Sequence, residues 1–93
     1  MYKIHRYTYR RAQQLGVRVR PSKNTRKKID VFDKTTGKHL ASVGALGMND
    51  YPTFIKERGL KYAQTRRRLY KQRHEKDRHR VGSAGYYADQ LLW

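Results

Sequence analysis

Two histidines, a glutamate and an aspartate lie between His74 and His79, the densest group of possible metal ligands in this 93-residue chain. Such side chains could hold a divalent cation for nuclease-type chemistry. On a helix, however, the two histidines are five residues apart and about 140° apart around the axis, so they cannot chelate one ion from one face. The dense positive charge nearby also repels a divalent cation. We therefore predict no metal site in this segment.

Other catalytic arrangements are also missing from the sequence. The chain has no cysteine, which excludes thiolate chemistry, disulfides and cysteine-bound zinc. Ser22, Ser42 and Ser83 have no base and acid placed around them by a recognisable motif, and no phosphate loop or dinucleotide fingerprint occurs. We predict a protein that is not an enzyme, uses no cofactor and takes no small-molecule substrate.

Positive charge is the dominant feature of the chain. Its 23 Lys and Arg residues against 7 Asp and Glu give a formal charge of +16. The basic residues concentrate in residues 1–28, which hold no acidic residue, and in residues 56–80. A polyphosphate is the partner that such a chain attracts, because each neutralised phosphate releases a condensed cation and arginine forks grip phosphate oxygens. We predict phosphate contacts from eleven of them: Arg10, Arg11, Arg18, Arg20, Lys27, Lys28, Lys61, Arg67, Arg68, Lys71 and Arg78.

The sequence contains no motif for reading bases. Helix-turn-helix, zinc-finger and RNA-recognition signatures are all missing. We therefore expect binding to the nucleic-acid backbone without sequence specificity, with DNA favoured over RNA as the partner. Acidic protein is the alternative partner for such a basic surface.

A small fold must position these cations. Residues 28–43 are predicted to form a β-hairpin, because two β-type runs flank a turn in which Gly37 can take a positive φ. Short helices are predicted over 7–15 and over 51–58, the second capped by Asn49 or Asp50 and ended by Gly59. Residues 17–20 alternate like an edge strand.

The longest predicted helix covers residues 60–79, which contain no Gly or Pro. One stripe of this helix is predicted to be structural and to dock on the hairpin, with Arg73 and Asp77 forming an i, i+4 pair. The aromatic C-terminal tail is expected to fold back onto the core, because its apolar side chains are costly to leave in water. The predicted structural residues are Tyr62, Leu69, Tyr70, Arg73, Asp77 and Trp93.

Together these elements predict one small α+β domain, a β-hairpin packed on one long helix with short flanking helices. We divide it into a basic N-terminal arm, residues 1–27, and a compact domain, residues 28–93. Leu, Ile, Val and Phe make up only about 18% of the chain, so the core is expected to be marginal. No apolar run is long enough to cross a bilayer and no signal-peptide pattern occurs, so we expect no membrane span and no secretion.

Seven features of the sequence carry a resemblance: LGVRVRPS (15–22), KIDVFD (28–33), ASVG (41–44), DYPT (50–53), YAQTRRRLY (62–70), the Arg73-His74 pair and GSAGYYADQLLW (82–93). In these segments the chain resembles a family of small uncharacterised basic proteins of large DNA viruses of algae and protists. The Arg-x-x-x-Tyr-x-x-Arg-His spacing from Arg66 to His74, with a terminal Leu-Trp, is also similar to short virion-related phage proteins. The resemblance implies a viral source and a place in the virion or the infected host cell, in its nucleus or a cytoplasmic virus factory.

Two functions from different classes remain. In the first, the protein binds viral nucleic acid without sequence specificity and is associated with the virion. In the second, it is a minor capsid or cement protein that bridges capsid subunits, or the capsid and an internal layer, through contacts with acidic virion proteins. Charge favours the first function, whereas a defined shape with an aromatic tail favours the second.

Overall fold

The computed structural model describes residues 2–93, and within them the chain forms three antiparallel strands and four helices. The strands lie in the order β1-β2-β3 within one sheet, so consecutive strands are neighbours. The predicted α+β class, with its hairpin and flanking helices, is confirmed. Along the chain the elements are α1 (Arg6–Leu15), β1 (Val17–Pro21), β2 (Lys27–Asp33), β3 (His39–Ala45), α2 (Tyr51–Arg58), α3 (Leu60–Arg73) and α4 (Ala84–Leu92).

Local signals in the sequence account for several of these elements. In the hairpin turn, the Asp33 carboxylate accepts hydrogen bonds from the backbone N–H groups of Thr35 and Thr36, both at 2.8 Å. Gly37 completes the turn with a φ of 75°. Asp50 caps α2 by accepting from the Thr53 backbone N–H at 3.0 Å. These residues fix the β2–β3 hairpin and the start of α2 where the sequence predicts them.

The main core lies between one face of the sheet and the two helices α1 and α4. Ile29, Val31 and Val43 supply the sheet side, and Leu91 and Leu92 of α4 cover them. A second, smaller cluster joins α2 to α3 through Tyr51, Phe54 and Ala63. The C-terminal tail therefore folds back as a helix and contributes to the core, as its apolar side chains predict.

The structure corrects the predicted division at residue 28. The described part of this segment, residues 2–27, is not a separate arm, because β1 pairs with β2 along its whole length and Val17 and Val19 are buried in the main core. Ile4 and Ala12 also belong to the main core. The strict alternation of buried valine with exposed arginine in β1 is the pattern of a strand with one face on a core.

The predicted long helix is also shorter than expected and packs on a different element. Helix α3 ends at Arg73, and residues 74–82 form turns instead of continuing to residue 79. These turns bring Asp77 against Gly85 of α4, where an added Cβ would lie 3.2 Å from the Asp77 Cβ. Helix α3 packs mainly on α2, while α4 covers the hairpin. Leu69, predicted for the core, consequently remains 41% exposed.

Among residues 2–93, no helix combines the length and the apolar character required for a membrane crossing.

Candidate nucleic-acid interface

Four of the predicted phosphate-binding residues line one open groove. The groove has a volume of about 740 Å³ and runs along the exposed side of α3 into the turns that follow. We call it the α3 groove. Besides the four cations it contains two glutamines and one glutamate. Its lining consists of Gln64, Arg67, Arg68, Lys71, Gln72, Glu75 and Arg78.

Helical spacing explains how the α3 groove forms. Gln64, Arg67, Arg68 and Lys71 follow the i, i+3, i+4, i+7 pattern that places side chains on one face of a helix. Arg78 reaches the same face only because the chain turns after Arg73. The sequence therefore predicts the helical part of this surface, and the turn completes it.

A buried carboxylate anchors two of the groove cations. Asp89 of α4 is 1% exposed. Its Oδ1 accepts a hydrogen bond from the Lys71 Nζ at 2.7 Å, and its Oδ2 lies 3.7 Å from a terminal nitrogen of Arg78. Arg78 also pairs with Glu75 at 2.7 Å. Lys71 and Arg78 thus have fixed positions, but part of their charge is already compensated.

Arg67 and Arg68 supply the uncompensated charge of the groove. Arg68 is exposed, and neither residue pairs with a carboxylate within the described residues 2–93. The Arg67 guanidinium lies 4.9 Å from the centre of the Tyr51 ring, a cation–π contact that orients it. The Arg67 Nε is buried and has no hydrogen-bond acceptor.

The outer face of the sheet carries a second, smaller group of cations. Arg18 and Arg20 are exposed on β1, and the Arg20 guanidinium lies 4.4 Å over the Phe32 ring. Asp30, on the same strand as Phe32, accepts from the Ser22 and Ser42 hydroxyls at 2.6 and 2.7 Å. Burial would raise the pKa of Asp30, but these hydrogen bonds outweigh it and lower the pKa. This face therefore carries both signs of charge.

The prediction that Lys28 contacts phosphate is wrong. Its ammonium group is buried and donates to the Asp50 Oδ2 at 2.9 Å. Asp50 also accepts from the Tyr2 hydroxyl at 2.5 Å. Burial tends to raise the pKa of Asp50, but hydrogen bonds from Lys28, Thr53 and Tyr2 outweigh it and lower the pKa. Lys28 is therefore part of the structural framework.

The other predicted cations lie outside the α3 groove lining. Arg11, half-buried on α1, donates through its Nε to the Gln90 carbonyl oxygen at 3.0 Å, so it ties α1 to α4. The remaining three are exposed but distributed over separate elements, namely α1, β2 and the first turn of α3. They are Arg10, Lys27 and Lys61.

The residues predicted to be structural differ in their burial and in their contacts. Tyr62 and Tyr70 are half-buried, and the Tyr70 ring stacks on Trp93 with centres 4.3 Å apart and planes 8° apart. Arg73 is exposed and forms no ion pair within residues 2–93, which contradicts the predicted pair with Asp77. Asp77 lies beyond the end of α3, is 72% exposed, and approaches His74 at 4.0 Å. Because α3 ends at Arg73, Asp77 is not one helical turn further along the same helix, and the predicted i, i+4 pair does not form.

Two anchoring carboxylates, Asp50 and Asp89, have roles beyond those that the sequence predicts. The sequence predicts only a helix-capping role for Asp50 and no role for Asp89. A partial signal exists for Asp89, because a single acid within the otherwise neutral segment 81–93 must find a partner if that segment is buried.

Most of the positive charge has no carboxylate partner in the part of the chain that the structure describes. Only Lys28, Lys71 and Arg78, of the 23 lysines and arginines, form ion pairs there. The two histidines of the 74–79 segment also take different partners, since His79 contacts Glu75 at 3.0 Å. Within residues 2–93, no three potential ligands converge as a metal ion would require.

Comparison with known proteins adds no assignment to this geometry. No protein-family model, no curated protein and no solved structure matches the chain. The resemblance to viral proteins stays a prediction.

Proposed function

We propose that this protein binds nucleic acid without sequence specificity, through the phosphate backbone, and that the α3 groove is the main contact surface. The observation that carries the proposal is the convergence of Arg67, Arg68, Lys71 and Arg78 on one open groove. Rows of cations on a helix face are suited to phosphates, which repeat at regular spacing along a strand.

The charge balance of the whole molecule supports this proposal. Within residues 2–93, twenty Lys and Arg side chains form no ion pair with a carboxylate. Such a surface repels itself, so a polyanion that neutralises it also stabilises the fold. The cations of α1 and of the outer sheet face add to the general attraction without belonging to the groove. Double-stranded DNA is the proposed partner, ahead of RNA.

The setting of this function is proposed from the sequence resemblance. The protein would act in the virion or in the infected host cell, where packaged or replicating viral DNA needs counterions. A role as a minor capsid or cement protein is the second candidate. Its support in the sequence was the aromatic tail, but Leu91 and Leu92 of that tail are buried in the protein's own core. The tail is therefore less available for docking on capsid subunits.

The proposal is tested by titrating the protein with duplexes of two unrelated sequences over a range of salt concentrations. We expect similar affinities for both, falling by ~10³ or more between low and physiological salt. Absence of binding at low salt, or binding that does not change with salt, would contradict the proposal. Mass spectrometry of purified virus particles, with and without their genome, separates genome binding from a capsid role.

A further inference from the structure

A second cavity lies on the side of α3 away from the groove. It has a volume of about 260 Å³ and lies between α2, α3, the C-terminal end of α4, the neighbouring parts of β2 and β3, and the loop that joins β3 to α2. We call it the aromatic cleft. The part of its lining that matters here consists of Phe54, Arg66, Tyr70, Arg73, His74 and Trp93. Four of these six belong to the Arg-x-x-x-Tyr-x-x-Arg-His pattern singled out in the sequence.

Flat aromatic surfaces form one wall of the aromatic cleft. The Tyr70 ring lies between those of Trp93 and His74, and its centre is 4.3 Å from the centre of each. Phe54 lies beside these rings, with its ring 6.0 Å from that of Trp93 and tilted by 50°. Trp93 and His74 cover the two faces of the Tyr70 ring, so a planar, apolar ring as ligand would contact Trp93 and Phe54 instead.

The charged groups in the cleft favour an anion. Arg66 lies 5.5 Å over the Phe54 ring and pairs with no carboxylate within residues 2–93. Arg73 is exposed and has no carboxylate partner within residues 2–93. These two guanidinium groups leave the cleft with an excess of positive charge.

The other polar groups of the cleft do not cancel this excess. Lys28 and Asp50 also line it, but they are paired with each other at 2.9 Å. Tyr70 is half-buried, and desolvation together with the charge of Asp89 raises its pKa to about 12. Its hydroxyl is therefore neutral at physiological pH and adds no negative charge to the cleft.

We propose that the aromatic cleft binds one nucleotide, with the base against Trp93 and Phe54 and the phosphate on Arg66 and Arg73. A nucleotide joins a planar ring to an anion, which is the combination that this cavity offers. The choice of a nucleotide as the ligand rests on the proposed function, but the aromatic cleft is a different surface from the α3 groove. The nucleotide can be free or can be an unpaired nucleotide at a strand end, and the experiment separates the two.

Trp93 is the single tryptophan of the chain and reports directly on the cleft. We expect adenosine 5′-monophosphate to quench its fluorescence in a saturable manner. Adenosine and inorganic phosphate, which each carry half of the ligand, should bind at least about tenfold more weakly. No saturable quenching, or equal binding of phosphate alone, would overturn the proposal. Competition by a duplex with a one-nucleotide overhang, compared with a blunt duplex, identifies a strand end as the source.

Substitutions locate the binding. Arg73→Gln should weaken adenosine 5′-monophosphate binding about tenfold without changing the melting curve, because this side chain is exposed. Arg66→Gln should weaken it at least as much, with folding checked by circular dichroism. The matched control is Arg80→Gln, which is exposed and outside the cleft lining and should bind normally. Equal binding by all three variants would contradict the assignment.

The two titrations of the wild-type protein separate this inference from the proposed function. Absence of duplex binding, together with saturable quenching by adenosine 5′-monophosphate, would reject the phosphate-backbone function and leave the cleft assignment standing. Duplex binding without any quenching by the mononucleotide would do the reverse.

Discussion

The ammonium group of Lys28 lies 2.9 Å from the carboxylate of Asp50, and the two side chains are 4% and 1% exposed. This pair joins the second strand to the start of α2 across 22 residues of sequence. Asp50 completes its hydrogen bonding through Tyr2 and the Thr53 backbone, so both charges are held where water does not reach. Such a pair is costly to break from one side only, since the remaining charge stays buried without a partner.

Asp50→Asn should therefore destabilise the protein by ~3–5 kcal/mol, because it leaves the Lys28 ammonium buried and uncompensated. The double variant Lys28→Met/Asp50→Asn should recover part of this loss while keeping the net charge of the protein. Urea denaturation of the two single variants and the double variant measures the coupling. If the two single losses simply add, the pair is not the interaction that the structure indicates.

Acid should destabilise the protein through the same pair. The folded pKa of Asp50 lies below its unfolded value, so its contribution to stability is complete above about pH 5 and is lost as pH falls through the folded pKa. We expect the melting temperature to fall between pH 5 and pH 3. The double variant Lys28→Met/Asp50→Asn should lose less over this range. A wild-type curve that is flat, or parallel to that of the double variant, would contradict this prediction.

Removing the two uncompensated cations of the α3 groove should weaken DNA binding without unfolding the protein. Arg67→Gln/Arg68→Gln should reduce the slope of log affinity against log salt by about two, one phosphate contact for each residue. The matched control is Arg26→Gln/Arg80→Gln, which removes the same charge from exposed positions outside the groove. If both double variants lose the same affinity, the binding is spread over the surface and the groove has no special role.

A leucine of the predicted structural stripe of α3 and a leucine of the C-terminal tail should differ in their effect on stability. Leu91 is fully buried, so Leu91→Ala should cost ~2–5 kcal/mol, the range for a truncated core leucine. Leu69 is 41% exposed, so Leu69→Ala should change stability by only ~0.5 kcal/mol. Thermal and urea unfolding of both variants checks this. A larger loss of stability for Leu69→Ala would indicate that α3 packs on the main core through Leu69.

Gly44 should tolerate substitution less well than Gly37, although both have positive φ values of 83° and 75°. A Cβ at Gly44 would lie 2.7 Å from the Leu92 Cδ1, whereas a Cβ at Gly37 would meet nothing within 4 Å. Gly37→Ala should thus cost ~1 kcal/mol for backbone strain alone, and Gly44→Ala should cost more because Leu92 must also move. Equal losses in denaturant unfolding would mean that α4 does not press on β3 at this point.

Several parts of this structure were predictable because they depend on neighbours only a few residues away. The hairpin turn needs Asp33 and Gly37, the start of α2 needs Asp50, and the stop before α3 needs Gly59. The face of α3 that carries Arg67, Arg68 and Lys71 follows from helical spacing alone. The large positive charge, and with it the class of partner that we propose, is a property of composition.

The tertiary structure decided which cations remain free, because a carboxylate partner can come from anywhere in the chain. Lys28 and Lys71 have the same sequence character as the exposed lysines, yet Asp50 and Asp89 reach them from 22 and 18 residues away. It also decided where α3 ends, since the turns after Arg73 are held by Asp89 and by the close approach of Asp77 to Gly85. Burial of Val17 and Val19 likewise required a sheet partner, so β1 contributes to the core only because it pairs with β2. Long-range pairing and packing have no local signature in the sequence, because they are set by which surfaces meet in the folded chain.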